Sequence, residues 1–139
     1  MVYYIRNRYI RVRYKLRIIP LSDKQQPEDL LPLTPAVLYI LLSLADGERH
    51  GYSIMQEVGE ITDQTVNMGP GTLYGSIKRM LAANLIEETE ERPDPTIDDK
   101  RRRYYKLTPF GHSVLTLEAE RLAQLVQQAQ ARQLLPNSA

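Results

Sequence analysis

The apolar stretch from Val37 to Ala45 constrains the fold of this chain more than any other segment. Thr34 is suited to an N-cap and Pro35 to the first helical position, where the missing N–H costs nothing. Val37, Ile40, Leu41 and Leu44 recur at helical spacing, and Leu38, Leu42 and Ala45 widen the stripe. A helix this apolar belongs at the centre of a core. Asp46-Gly47 ends it, the glycine supplying the backbone conformation of a C-cap. The stretch falls well short of the ~20 apolar residues that span a bilayer, and no run approaches that length, so no membrane segment is expected.

Such a helix needs other elements to cover it. A second short helix is predicted from about Gly51 to Glu60, with Ile54, Met55, Val58 and Ile61 inward. A third is predicted from Pro70 to Ala83, with Leu73, Ile77, Met80 and Leu81 on one side. Asn84, which tolerates left-handed backbone, ends it. Two strands follow, Leu85 to Glu91 and Arg103 to Leu107, joined by a polar loop containing Pro93 and Pro95. In an antiparallel hairpin Glu87, Glu88, Glu90 and Glu91 face Arg101, Arg102, Arg103 and Lys106, while Tyr104 and Tyr105 point to opposite sides. Thr108-Pro109 repeats the cap-then-proline start, and a last helix runs to about Gln133. Its stripe is Val114, Leu117, Leu122, Leu125, Val126 and Ala129, wider than three short helices and a hairpin can cover. A second copy of the chain is the simplest cover, so these six residues form the expected dimer interface.

The order helix, helix, helix, strand, strand, long helix is that of a winged helix-turn-helix: a mainly α fold with a small β-hairpin and a long C-terminal dimerisation helix. At 139 residues and 42% hydrophobic content there is material for one modest core. The expected organisation is a basic N-terminal arm and Pro-containing linker over 1–32, the winged domain over 33–108, the dimerisation helix over 109–133 and a tail over 134–139. Within the arm, Ile10, Val12, Tyr14, Leu16 and Ile18 alternate with Arg11, Arg13, Lys15 and Arg17, a strand period with one apolar and one cationic face. A strand, a disordered basic arm and a start codon assigned too early all remain open readings of this segment. A membrane-surface role is disfavoured because the alternation has strand and not helix period.

The third predicted helix has the composition of a groove reader. Gly71, Thr72 and Gly75 are small, Thr72 and Ser76 carry hydroxyls for phosphates or base edges, and Lys78 and Arg79 can neutralise backbone phosphates. Glycines on an exposed helical face cost about 1 kcal/mol each relative to alanine, which suggests that a close approach is being served. Tyr52 and Tyr74 join this DNA-contacting set, and Lys100, Arg101 and Arg102 stand where a wing touches the flanking backbone or minor groove. Net charge is only +1, so the separation of basic from acidic segments matters more than their sum.

Several function classes are excluded. With no cysteine there is no disulfide, cysteine zinc site or cysteine nucleophile, which fits a reducing compartment. Arginines interrupt any signal-peptide core, so a cytoplasmic location is expected. His50 and His112 are far apart, and His50 is read as capping or packing at the second helix. No triad, carboxylate–histidine cluster or phosphate loop has the needed spacing, and Gly69-Pro70-Gly71-Thr72 lacks the Lys-Ser/Thr ending. Asp94, Asp98 and Asp99 read as a solvated loop. No catalytic residue, metal or cofactor is expected. The rival class is a winged-helix protein-interaction module without DNA contact.

Taken in order, Leu33-Thr34, Ile40 and Leu44, His50-Gly51-Tyr52 with Ile54, Gly71-Thr72-Leu73-Tyr74 with Arg79-Met80, Leu85-Ile86 and Arg103-Tyr104-Tyr105-Lys106-Leu107-Thr108 with Gly111 resemble the PadR-like family of transcriptional regulators, over roughly residues 33–131. The single C-terminal helix is similar to the family's smaller subgroup. The resemblance implies a bacterial homodimeric winged helix-turn-helix repressor of a double-stranded DNA operator. It also implies dimerisation through the last helix and, where an effector exists, a small-molecule site near the dimer interface. Asn84 stands where the family commonly has glycine, and the first 30 residues exceed the usual arm.

Overall fold

The computed structural model of the chain describes the backbone of residues 2–5, 8–11, 25–89, 92–93 and 101–137, with side chains described for 25–89 and 103–137. The N-terminal strands β1 (Val2–Ile5) and β2 (Arg8–Arg11) form an antiparallel hairpin with Val2 opposite Arg11 and Ile5 opposite Arg8. Most of the alternating segment, from Val12 to Ile18, lies outside the described residues. Part of the stretch read as a linker is packed. Pro27–Leu30 is a 3-10 turn, and Leu30, Leu31 and Leu33 lie against the core.

Helix α1 (Pro35–Ser43) starts as its sequence predicts: the Thr34 hydroxyl accepts from the Val37 N–H at 3.4 Å, with Pro35 in the first turn. Ile40 and Leu41 are wholly buried. Gly47, at φ 151°, makes the turn into β3 (Arg49–His50) in a conformation open to glycine and few others. His50 caps α2 (Gly51–Ile61) as expected, its Nδ1 accepting from the Ser53 N–H at 3.1 Å. Ile54 and Val58 enter the core, whereas Ile61, expected inside, is exposed in the last turn. Helix α3 (Pro70–Ala82) buries Leu73, Ile77 and Met80 and leaves Leu81 exposed, against expectation. Asn84, at φ 61°, lets the Leu85 and Asn84 N–H groups bond back to Met80 and Leu81.

The sheet is antiparallel in the order β3–β7–β4, with β4 at Ile86–Glu88 and β7 at Tyr104–Leu107. Ile86 faces Leu107 and Glu87 faces Lys106. A further pairing of β5 (Arg92–Pro93) with β6 (Arg101–Arg102) extends the hairpin into a wing. Tyr105 turns inward and is buried, while Tyr104 sets its ring edge-on to His50 at 5.4 Å. Helix α4 (Pro109–Ala131) leaves the sheet through Thr108, whose Oγ1 accepts from the Gly111 N–H at 2.8 Å and donates to the Asn84 carbonyl at 2.6 Å. That bond ties the start of α4 to the end of α3. A three-helix core with a small antiparallel sheet and a long last helix is the winged-helix arrangement the element order implies.

Candidate nucleic-acid interface

The helical period decides which α3 residues can meet another molecule. With Leu73, Ile77 and Met80 inside, Gly71, Thr72, Tyr74, Lys78, Arg79 and Ala82 fall on the exposed side, and Gly75 is half-buried beside them. A Cβ added at Gly71 would meet nothing within 4 Å, and one at Gly75 only the Arg79 guanidinium at 3.7 Å. Packing within the chain therefore asks for glycine at neither position, although each weakens the helix. No side chain caps the α3 N-terminus, where Gly69 is the cap residue and Pro70 the first helical residue. The positive end of the helix dipole thus faces solvent beside Thr72.

Ser76 is a correction. It was expected among the groove-facing residues, but it is fully buried in the same stripe as Leu73, Ile77 and Met80. Its Oγ accepts from Arg79 Nη2 at 3.2 Å, so it holds the Arg79 side chain along the helix and cannot reach a base. Tyr74 is 49% exposed, yet a Cβ on Gly51 would sit 2.3 Å from its hydroxyl oxygen. The phenol therefore leans on the start of α2, over the space that Gly51 leaves free. Tyr52 is 51% exposed in the first turn of α2. Sequence reasoning missed the role of Gly51, and a single glycine before a tyrosine carries no signal for it.

In the wing, Arg101 and Arg102 lie in β6, their side chains outside the described set, and Lys100 lies outside the described residues. Arg103 reaches Glu88 at 3.5 Å, an exposed pair worth about 0–1 kcal/mol. Arg49 is bound more firmly, donating to the Ser43 carbonyl at 2.7 Å and pairing with Glu57 at 3.3 Å, so it joins the end of α1 to α2.

The stripe assigned to dimerisation divides in two. Val114 is fully buried within its own chain and Leu117 is half-buried beside the 3-10 turn, so Val114 is unavailable to a partner. Leu122 and Ala129 are half-buried, and Leu125 and Val126 are 52% and 45% exposed. Between the halves sits Glu118, a charge in a stripe position that the sequence reading passed over. It is fully buried, accepting from Arg121 Nε at 2.6 Å, Arg121 Nη2 at 3.0 Å and the Leu33 N–H at 3.0 Å. The Arg121 hydrogen bond holds its carboxyl below the usual range, desolvation opposes this, and the Leu33 N–H adds to the lowering. Among the described residues no three His, Asp or Glu side chains gather as a metal site, and no helix is long and apolar enough to cross a membrane.

A three-helix core, a wing, and a third helix turned outward with small, hydroxyl and cationic residues define a winged helix-turn-helix protein. Residues 40–117 match the family model described as the transcriptional regulator PadR-like family, and the chain belongs to that family, whose members are transcriptional regulators and not enzymes. The transcriptional regulator Rv3488 of Mycobacterium tuberculosis is 34% identical over 91 residues, 66% of this chain and 78% of that protein. An uncharacterized 37.1 kDa protein in transposon Tn4556 of Streptomyces fradiae is 36% identical over 90 residues, 65% of this chain but only 24% of that protein. Bacillus subtilis PadR, solved in complex with operator DNA, shares the fold with a TM-score of 0.53 at 22% identity, over 61% of this chain and 46% of that one.

Proposed function

We propose that the chain is a homodimeric repressor that binds a two-fold symmetric operator in double-stranded DNA, with α3 in the major groove and the wing on the flanking backbone. The observation that carries this reading is the outer face of α3, where Gly71 and Gly75 keep open a surface that packing within the chain does not require. Thr72, Tyr74 and Gly75 meet base edges, Lys78 and Arg79 meet phosphates, and Tyr52, Lys100, Arg101 and Arg102 add backbone contacts. The symmetry of the operator follows from a dimer that joins at the outer half of α4, through Leu122, Leu125, Val126 and Ala129. Release by a small molecule seated between the protomers, in the cytoplasm, completes the reading.

Gly75 separates this function from simple folding. Alanine there meets no steric obstacle and improves helix propensity, so Gly75→Ala should stabilise the fold by about 0.5–1 kcal/mol. Gly75→Leu should keep the thermal midpoint at or above the parent's while abolishing operator binding in a fluorescence titration. Should Gly75→Leu bind operator and scrambled duplexes as the parent does, α3 is not the reader, and the protein-interaction module becomes the better account.

A further inference from the structure

Nothing in the backbone asks for glycine at position 51. Gly51 is the first residue of α2 and is buried. Among the described residues Gly47 alone of the glycines has a positive φ, so the conformation at 51 is open to alanine. What the missing side chain leaves is room. A Cβ on Gly51 would lie 2.8 Å from Cζ and 3.1 Å from Cε1 of Tyr74, so it and the phenol cannot both keep their places. Tyr74 belongs to the outer face of α3, one turn from Gly71 and Lys78. It lies back over the start of α2 and is still 49% exposed. Burial, the Glu88 carboxylate and, after them, the Tyr74 phenol hold the Tyr105 hydroxyl above its ordinary pKa, so the Tyr74 ring also neighbours β7. Among the described residues the Tyr74 hydroxyl has no hydrogen-bond partner. A hydrogen-bonding group is thus seated between α3, α2 and β7 and left open to another molecule.

We propose that Gly51 is a specificity-determining position for operator recognition and acts through Tyr74: the glycine leaves the seat that fixes the phenol, and the seated hydroxyl meets one base edge. The inference rests on the proposed reading of DNA by α3, and adds a residue of another helix that sets one of the contacts. Gly51 touches no DNA in this scheme and is a positioning residue. A side chain ordered before binding avoids the cost of fixing it at the interface. A hydroxyl held in one place also distinguishes the donor and acceptor patterns of different base pairs, which differ by position in the groove. Alanine at 51 would keep the chemistry of Tyr74 and take away its place.

The test uses the full chain and two duplexes, the sequence that the parent selects from random DNA and a scrambled version of it. Tyr74→Phe keeps the ring seated and removes only the hydroxyl. It should melt as the parent does and bind the selected duplex about tenfold more weakly, the effect of one lost hydrogen bond, with the scrambled duplex changed less. Gly51→Ala should lose discrimination in the same way although the hydroxyl is still present. In a Tyr74→Ala background Gly51→Ala should change nothing further, because no phenol remains to be displaced. Parental discrimination in Gly51→Ala or in Tyr74→Phe overturns the inference, and so do equal losses on the two duplexes. A Gly51→Ala effect of the same size with and without the Tyr74 side chain also overturns it, since the glycine would then act through the backbone of α2. Should Gly51→Ala alone not fold, the double variant has the room and must fold; a double variant that stays unfolded overturns the proposal as well. Gly75→Leu, titrated alongside, separates this failure from that of the reading on which it rests. If Gly75→Leu loses the selected duplex while Gly51→Ala keeps it, α3 remains the reader and only the role of Gly51 falls.

Discussion

Glu118 shows how one side chain can hold a joint. Its carboxylate is buried where an apolar residue would continue the α4 stripe, and it joins α4 to the backbone just ahead of α1. Because its folded pKa is lowered, the stabilisation is fully present above the ordinary glutamate value of about 4.3 and is lost as the pH falls through the lower folded value. Glu118→Gln should therefore cost about 1–3 kcal/mol at pH 7, and the difference from the parent should shrink in acid. Urea melts at several pH values check this; a gap that stays constant down to pH 3 would mean that the ionised form contributes nothing. Two glycines act by absence. A Cβ on Gly111 would sit 1.9 Å from the Leu85 carbonyl oxygen, so only glycine lets α4 start this close to β4. Gly51 leaves room for the Tyr74 phenol, a side-chain neighbour that can shift where the Leu85 backbone cannot.

At the scale of elements, the last three helices end by one device. In α2, α3 and α4 a residue with positive φ (Asp63, Asn84 and Gln133) lets the next N–H bond back five residues, to Gly59, Met80 and Ala129. None of the three is glycine. The wing is built differently, by short pairings with exposed charges along them. Its Arg101 and Arg102 sit in β6, paired with Pro93 and Arg92 of β5. Replacing both by alanine should weaken binding to operator and scrambled DNA alike and make the salt slope shallower by about one unit per lost phosphate contact. Titrations at four salt concentrations measure this, and an unchanged slope would remove these arginines from the interface. Thr72→Ala should act in the opposite sense, reducing discrimination between operator and scrambled duplexes more than it reduces non-specific affinity.

At the scale of the whole molecule, the N-terminal arm divides near residue 25. The 3-10 turn at Pro27–Leu30 packs on α4, so a truncation reaching it damages the fold. Removing residues 1–24 leaves the turn in place. The shortened chain should keep the parent's thermal midpoint and preferred sequence while losing non-specific affinity and salt dependence, since the removed segment carries the run of cations from Arg6 to Arg17. Melting and selection of bound sequences test the two halves of this statement. A changed sequence preference would make the arm part of the reader.

Caps and periodicity were legible in the sequence because they depend on neighbours three or four residues away. Thr34-Pro35, Thr108-Pro109, the Asn84 stop, the His50 cap and the inward set Ile40, Leu41, Leu73, Ile77 and Met80 belong to this class. The element order followed from them, and with it the winged fold. Where the covered stretch of each element stops was decided only by tertiary packing. Ser76 has the chemistry of a phosphate contact, but the angle at which α3 crosses the core turns it inward. Val114 and Leu125 belong to one stripe, yet the first is covered and the second exposed because the body of the protein ends between them. Leu42 was read as core because it widens the apolar stripe of α1. Hydrophobic pattern records which residues avoid water; it does not record whether their own chain or a second one excludes it.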